Sequence, residues 1–187
     1  YDRMNEDAFL RTVATALSEG KTVAWFDGRM EYGPRALGSR SILGDPRNPQ
    51  MQSMLNQQVK FRESFRPFAP IILREDLNDW FEMDAESPYM LLVTGVRNER
   101  RLAVSEEQSR REGLDTVRTP RSAIPAVTHV DYSARIQTID QHRQPRLHRL
   151  LTVFKQITGC PILINTSFNV ADEPIVCSPQ DALRCFL

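Results

Sequence analysis

PRLHRLLTVFKQITGCPILINTSFN, residues 145–169, decides the fold class of this chain. Pro145 suits the first turn of a helix, where its missing N–H leaves no bond unmade. Leu147, Leu150, Leu151, Phe154 and Ile157 recur at helical spacing on one face, and Gly159 supplies the stop. Residues 161–164 then read as a buried strand, too short and too apolar to face water. It ends in the polar turn Asn165-Thr166-Ser167-Phe168-Asn169. A helix feeding directly into a buried strand calls for a sheet with helices packed on it.

The same grammar extends outward. Asn5 is placed to cap a helix over residues 5–18, with Phe9, Leu10, Val13 and Leu17 on one face and Gly20 beyond its end. Residues 22–26 read as a strand buried on both faces, and 41–43 as another. Asn48-Pro49 reads as a cap and first turn opening a helix towards Val59. Further strands are expected at 69–73, 90–94, 126–130 and 135–139, the last two joined through Asp131-Tyr132-Ser133, with a short helix at 75–81. Residues 178–187 read as a helix stopped in mid-pattern. The order mixes α and β without strict βαβ alternation, so the expectation is an α/β (α+β) twisted mixed sheet in a single domain over 1–187. Within it, 97–124 is expected to be a charged, flexible excursion: residues 97–121 carry seven arginines and five acids.

Composition narrows the chemistry. Lys plus Arg (24) balances Asp plus Glu (24), so no global field draws nucleic acid or an anionic membrane. Any anion site must be a local gathering of cations. Cys160, Cys177 and Cys185 form no CxxC pair and read as reduced packing residues of a cytoplasmic protein. His129, His142 and His148 lack the spacing of a zinc site, so no metal site is expected. No apolar run approaches bilayer length. The chain opens on Tyr1 and reads as a portion of a longer protein.

One region gathers cations. Between Gly28 and Pro70 the segments GRMEYGPRALGSRS, GDPR and KFRESFRPFAP hold seven basic side chains against three carboxylates. Guanidinium groups on a loop stiffened by Gly and Pro suit phosphate oxygens; a salt-bridged surface loop is the other reading. Neither a GxxxxGK[ST] nor a GxGxxG turn is present. NTSFN at the end of a buried strand is well placed to meet a ligand, or else its Asn and Ser bond their own backbone.

Taken in order, GRMEYGPRALGSRSIL, KFRESFRPFAP, SPYMLL, VTHVDYSARIQTI and PILINTSFNV resemble the C-terminal domain of NodU/CmcH-type O-carbamoyltransferases. The resemblance implies a YrdC-like twisted mixed sheet with a basic concave face. It implies that ATP, with Mg²⁺ on its triphosphate, and carbamoyl phosphate yield carbamoyl-adenylate. The carbamoyl group then passes to an acceptor hydroxyl in an N-terminal actin-like (ASKHA) domain, whose metal lies outside this chain. Carried over residue by residue, Arg35, Lys60 and Arg66 take the catalytic role. The carbamoyl-adenylate would be bound by these three with Arg62, Met90, Arg135, Asn165, Ser167 and Asn169. Two alternatives share the residues: a threonylcarbamoyl-adenylate synthase, and a nucleotide-binding module inactive without its partner domain.

Overall fold

The computed structural model describes residues 4–105, 113, 116 and 119–187. Six strands form one mixed sheet: β1 (Val23–Phe26), β2 (Arg40–Gly44), β3 (Ala69–Leu73), β4 (Leu92–Gly95), β5 (Ser133–Ile139) and β6 (Ile162–Ser167). Their spatial order is β1-β2-β6-β3-β5-β4. Only β3 and β5 run parallel; every other neighbouring pair is antiparallel. The expected mixed sheet with packed helices is present.

Two long helices cover it. In α1 (Glu6–Ser18) the Asn5 side chain accepts from the Ala8 N–H, 2.8 Å away, satisfying one of the donors a helix start leaves open. A later helix (Pro145–Thr158) begins at Pro145 and ends at Gly159, left-handed at φ 74°. They pack side by side, held at one end by Arg146 against Glu6 and Asp27. Leu10, Ala14 and Leu17 from the first meet Leu147, Leu150, Leu151 and Phe154 from the second in a core shared with β2, β3 and β6. Short helices α2 (Met51–Met54) and α3 (Leu77–Trp80) precede the Pro145–Thr158 helix, which is therefore α4. Last comes α5 (Pro179–Phe186), closed by a capping box between Ser178 and Asp181.

Several expectations needed correction. β1 lies at the sheet edge and only Trp25 is fully buried, so it is not buried on both faces. Ile157 remains 43% exposed, because the apolar stripe of α4 drifts off its partner in the last turn. Asn48 does not cap a helix. Its Oδ1 accepts from the Gln50 N–H in a tight turn, and the helix starts at Met51. After Met54 the helix widens into a π-turn, Leu55–Val59, with the Lys60 N–H reaching back to the Leu55 carbonyl. Residues 126–130 form no strand; Pro125–Val127 is a 3₁₀ turn, as a proline at its start favours. Asn165, Thr166 and Ser167 belong to β6 rather than to a turn after it.

Of the charged stretch 97–124, residues 106–112, 114, 115, 117 and 118 lie outside the described residues. Its two ends do not stand free. Arg100 packs over Trp80 at 4.2 Å, Arg101 pairs with Glu82 at 3.0 Å, and a β-bridge joins Arg101 to Ser122. Arg121 is buried and donates to the Val130 carbonyl. Among the described residues no helix is long and apolar enough to cross a membrane.

Candidate functional site

Register places the site before any side chain is considered. Ala69 pairs with Asn165, and Ile71 pairs with Gln137. Alternation along a strand then puts Arg135, Gln137, Ala69, Asn165 and Ser167 on one face of the sheet. The Asn165 Nδ2 confirms it, donating to Gln137 Oε1 at 2.8 Å. On that face a cavity of about 160 Å³ is bounded by Arg35 and Ala36, Arg62 and Phe68, Met90, Arg135, and Asn165 to Ser167.

The YGPRALG loop that carries Arg35 is fastened at many points. Glu31 Oε1 accepts from the N–H groups of Leu37 and Ser39, both at 2.7 Å. The Ala36 carbonyl receives Asn165 Nδ2, and the Leu37 carbonyl receives both Gln137 and Gln144. Arg40 is 5% exposed. It donates to the carbonyls of Asp27, Gly28 and Cys177 while lying 3.5 Å over the Phe26 ring. Its charge serves the loop, not a ligand.

Gly38 is required there. Its φ is +113°, and a Cβ would sit 2.5 Å from Leu147 Cδ2. Gly38→Ala is therefore expected to lower stability by about 1–3 kcal/mol, roughly 3–10 °C in melting temperature by calorimetry.

Three guanidinium groups border the cavity, and none of Arg35, Arg62 and Arg135 makes an ion pair among the described residues. Arg62 leans on Phe68 at 5.0 Å and donates through Nε to Asn56 Oδ1 at 2.6 Å. Burial first, and Arg35 second, hold Arg135 below the ordinary arginine value; burial and then Arg66 do the same for Arg62. Uncompensated like charges facing one space favour an anion in it. Asn165, which borders the cavity, is 2% exposed, and its Oδ1 is buried with no donor among the described residues. Met90 is 4% exposed, holds a left-handed φ of 56° and gives the cavity an apolar border.

Arg35, Arg62, Met90, Arg135, Asn165 and Ser167 thus meet at one place. Arg66, Lys60 and Asn169 do not line it. Arg66 is exposed and pairs with Glu63 at 2.9 Å. Lys60 is 8% exposed, but its ammonium is turned into the end of β6. There it lies 2.5 Å from the Ser167 carbonyl and 2.7 Å from Asn169 Oδ1. Sequence reasoning missed Gln137, although strand alternation from Arg135 pointed to it. It also missed the two structural partners of the loop, Glu31 and Arg40. A larger cavity, about 240 Å³, opens between Gln50, Phe65 and Pro120, but no charged side chain lines it. Cys160 is buried and its thiol pushed up to about 12 by burial, which leaves it inert. Among the described residues no cluster of His, Cys, Asp and Glu could hold a metal ion.

Comparison with known proteins places this geometry in context. The sequence profile described as "Carbamoyltransferase C-terminus" matches residues 14–187. The Synechocystis protein sll1178 is 54% identical over all of this chain, which spans 30% of its length. A 3'-hydroxymethylcephem-O-carbamoyltransferase of Streptomyces clavuligerus is 40% identical, with 92% of this chain and 29% of that protein covered. The nodulation protein NolO of Bradyrhizobium diazoefficiens is 38% identical, covering all of this chain and 31% of the relative. The chain therefore spans about a third of these curated relatives. Among solved structures, full-length HypF in its phosphate- and nucleotide-bound form superposes with a TM-score of 0.55 at 16% identity. The match covers all of this chain and 20% of HypF. That likeness concerns the fold.

Proposed function

The chain belongs to the carbamoyltransferase C-terminal family, and from that premise we propose that it activates a carbamoyl group with ATP on behalf of an O-carbamoyltransferase. Water first cleaves carbamoyl phosphate to carbamate and inorganic phosphate. A carbamate oxygen then attacks the α-phosphorus of ATP, the bond to the β-phosphate breaks, and carbamoyl-adenylate and pyrophosphate result. The carbamoyl group leaves for an acceptor hydroxyl in the remainder of the longer protein, an actin-like domain, and AMP is released.

One observation carries this reading. Three guanidinium groups without a carboxylate partner among the described residues border a single small cavity. The guanidiniums match phosphoryl oxygens. A carbamoyl-adenylate brings such oxygens at its α-phosphoryl group. At about 160 Å³ the cavity is smaller than the roughly 300–1,000 Å³ of pockets that enclose whole drug-sized ligands. It suits the reacting carbamoyl-phosphoryl end, with the nucleoside lying along the open face. Charge accumulates on α-phosphoryl oxygens as pyrophosphate leaves, and fixed cations in a partly desolvated site stabilise that charge most. Magnesium enters with the nucleotide, since the cavity is lined by no carboxylate to hold it.

Radiolabelled pyrophosphate is expected to exchange into ATP only when carbamoyl phosphate is supplied. Exchange that ignores carbamoyl phosphate, or no exchange beside demonstrable ATP binding, would overturn the activation step.

A further inference from the structure

Gln137 shares the cavity face of the sheet with Arg135 but is wholly buried, roofed by the YGPRALG loop. Its Nε2 donates to the Leu37 carbonyl at 2.6 Å, and its Oε1 accepts from Asn165 Nδ2 at 2.8 Å. Asn165 spends its other Nδ2 proton on the Ala36 carbonyl, 2.9 Å away. A backbone carbonyl can only accept, so these two loop carbonyls dictate which way round both amides lie. Gln137 Oε1 is then the acceptor for the second Asn165 proton. The two side chains come from β5 and β6 and meet over β3, which runs between them. Gln137 pairs in register with Ile71, and Asn165 with Ala69, whose methyl group is too small to hold them apart.

We propose that Gln137 is a positioning residue: it locks the Asn165 amide to the Arg35 loop and so holds two walls of the anion cavity against each other. The proposal rests on the anion site argued above. Arg35 and Ala36 border the cavity from the loop, and Asn165 borders it from β6. The single bond from Asn165 to Ala36 lets the amide swing about that contact; the second, to Gln137, fixes its plane. The Leu37 carbonyl also accepts from Gln144, at the start of α4, so both its lone pairs are filled. Loop, β5, β6 and α4 are thereby joined through a chain of amides. An apolar side chain would fill this buried place with no polar atom to satisfy. A glutamine avoids a desolvation cost there only by pairing its amide, and the fully paired network specifies one arrangement.

Side-chain amide exchange by NMR and ATP binding by calorimetry test this together. In the ligand-free chain the Asn165 Nδ2 protons are assigned by their loss in Asn165→Ala. Both are expected to exchange roughly tenfold or more slowly than those of exposed Gln57, being bonded inside the protein. Gln137→Met keeps the length without the amide, and the protection is expected to fall roughly tenfold. Gln137→Glu still offers Asn165 an oxygen and is expected to keep the protection, a rescue that a merely disturbed core would not show. ATP affinity is expected to fall roughly tenfold in Gln137→Met, but less than about threefold when the same change is made on Asn165→Ala, the coupling of residues acting as one unit. If Gln137→Met fails to fold, Ala69→Val, which wedges a larger side chain between the pair, is expected to give the same loss of protection. Wild-type Asn165 protons as fast as those of Gln57 overturn the proposal, and so does equal loss of protection in Gln137→Met and Gln137→Glu. Unchanged protection in Gln137→Met or, in its place, Ala69→Val overturns it too. So does a folded Gln137→Met that binds ATP at wild-type strength, or affinity losses that multiply in the double variant. A wild-type chain that binds no ATP overturns the anion site instead, and the ligand-free exchange still decides whether Gln137 locks Asn165.

Discussion

Arg135→Ala is expected to slow carbamoyl-phosphate-dependent exchange of pyrophosphate into ATP by about a hundredfold or more, on the order of 3 kcal/mol of lost transition-state stabilisation. Arg135 stands on β5, next to the edge strand β4, partly buried, with Arg35 rather than a carboxylate for company. Its charge is thus available in full to whatever anion enters. Removing it creates no unpaired buried carboxylate, so the protein should melt near its usual temperature. The matching control is Arg66→Ala. That side chain is half exposed and paired with Glu63 outside the cavity, a surface pair of small worth. It is expected to leave the exchange rate within about twofold, the change expected of a surface pair worth a few tenths of a kcal/mol. Equal losses at both positions, measured under identical salt, would mean that the ligand lies elsewhere on the basic face.

Phe154→Ala should cost about 3–5 kcal/mol of stability, the range seen when a fully buried aromatic is truncated. Phe154 is wholly buried on α4, in the core shared with α1 and β6, and Arg47 lies 5.5 Å over its ring. The void would open among residues already fixed by sheet pairing on one side and α1 on the other, so little collapse can fill it. For a chain of 187 residues the loss corresponds to a fall of about 6–20 °C in melting temperature. Chemical denaturation should show a lower midpoint with an unchanged slope. A shift under about 2 °C would mean that α4 is not seated as described.

Much of the scaffold was legible in the residues because local signals agreed with tertiary ones. α1 and α4 announced themselves by cap, apolar stripe and glycine stop. β3 appeared at its full extent, 69–73, because its five residues are apolar and end at charged ones. Where placement in the sheet decides, local reading failed. Nothing in residues 22–26 says that β1 is an edge, and β4 was set two residues early because Leu91 and Leu92 look like core yet lie exposed. The π-turn and the left-handed Phe61 and Met90 are tertiary impositions on residues with no such preference. The site divides in the same way. Family resemblance pointed to Arg35, Arg62, Met90, Arg135, Asn165 and Ser167, which converge. It could not reveal that Lys60 faces the β6 turn, nor that Arg66 prefers Glu63. Those outcomes depend on the rotation of one peptide and the reach of one carboxylate.

The strand order also bears on how the chain comes into being. β6 is the last strand to leave the ribosome and yet fills a central slot, bonded to β2 on one side and to β3 on the other. Until residue 167 has emerged, neither β2 nor β3 has the partner that joins them, so any pairing of β1 with β2 or of β3 with β5 leaves an inner edge open. Both arginine-bearing walls of the cavity exist by then, but they belong to separate halves. Such a nascent chain exposes pairing edges for roughly 6–25 s of synthesis between the end of β2 and the end of β6, at about 5–20 residues per second. Insertion of β6 is the event that joins them. Sequence changes that delay it would show first as misassembly during expression, and only later, if at all, as a weaker folded state.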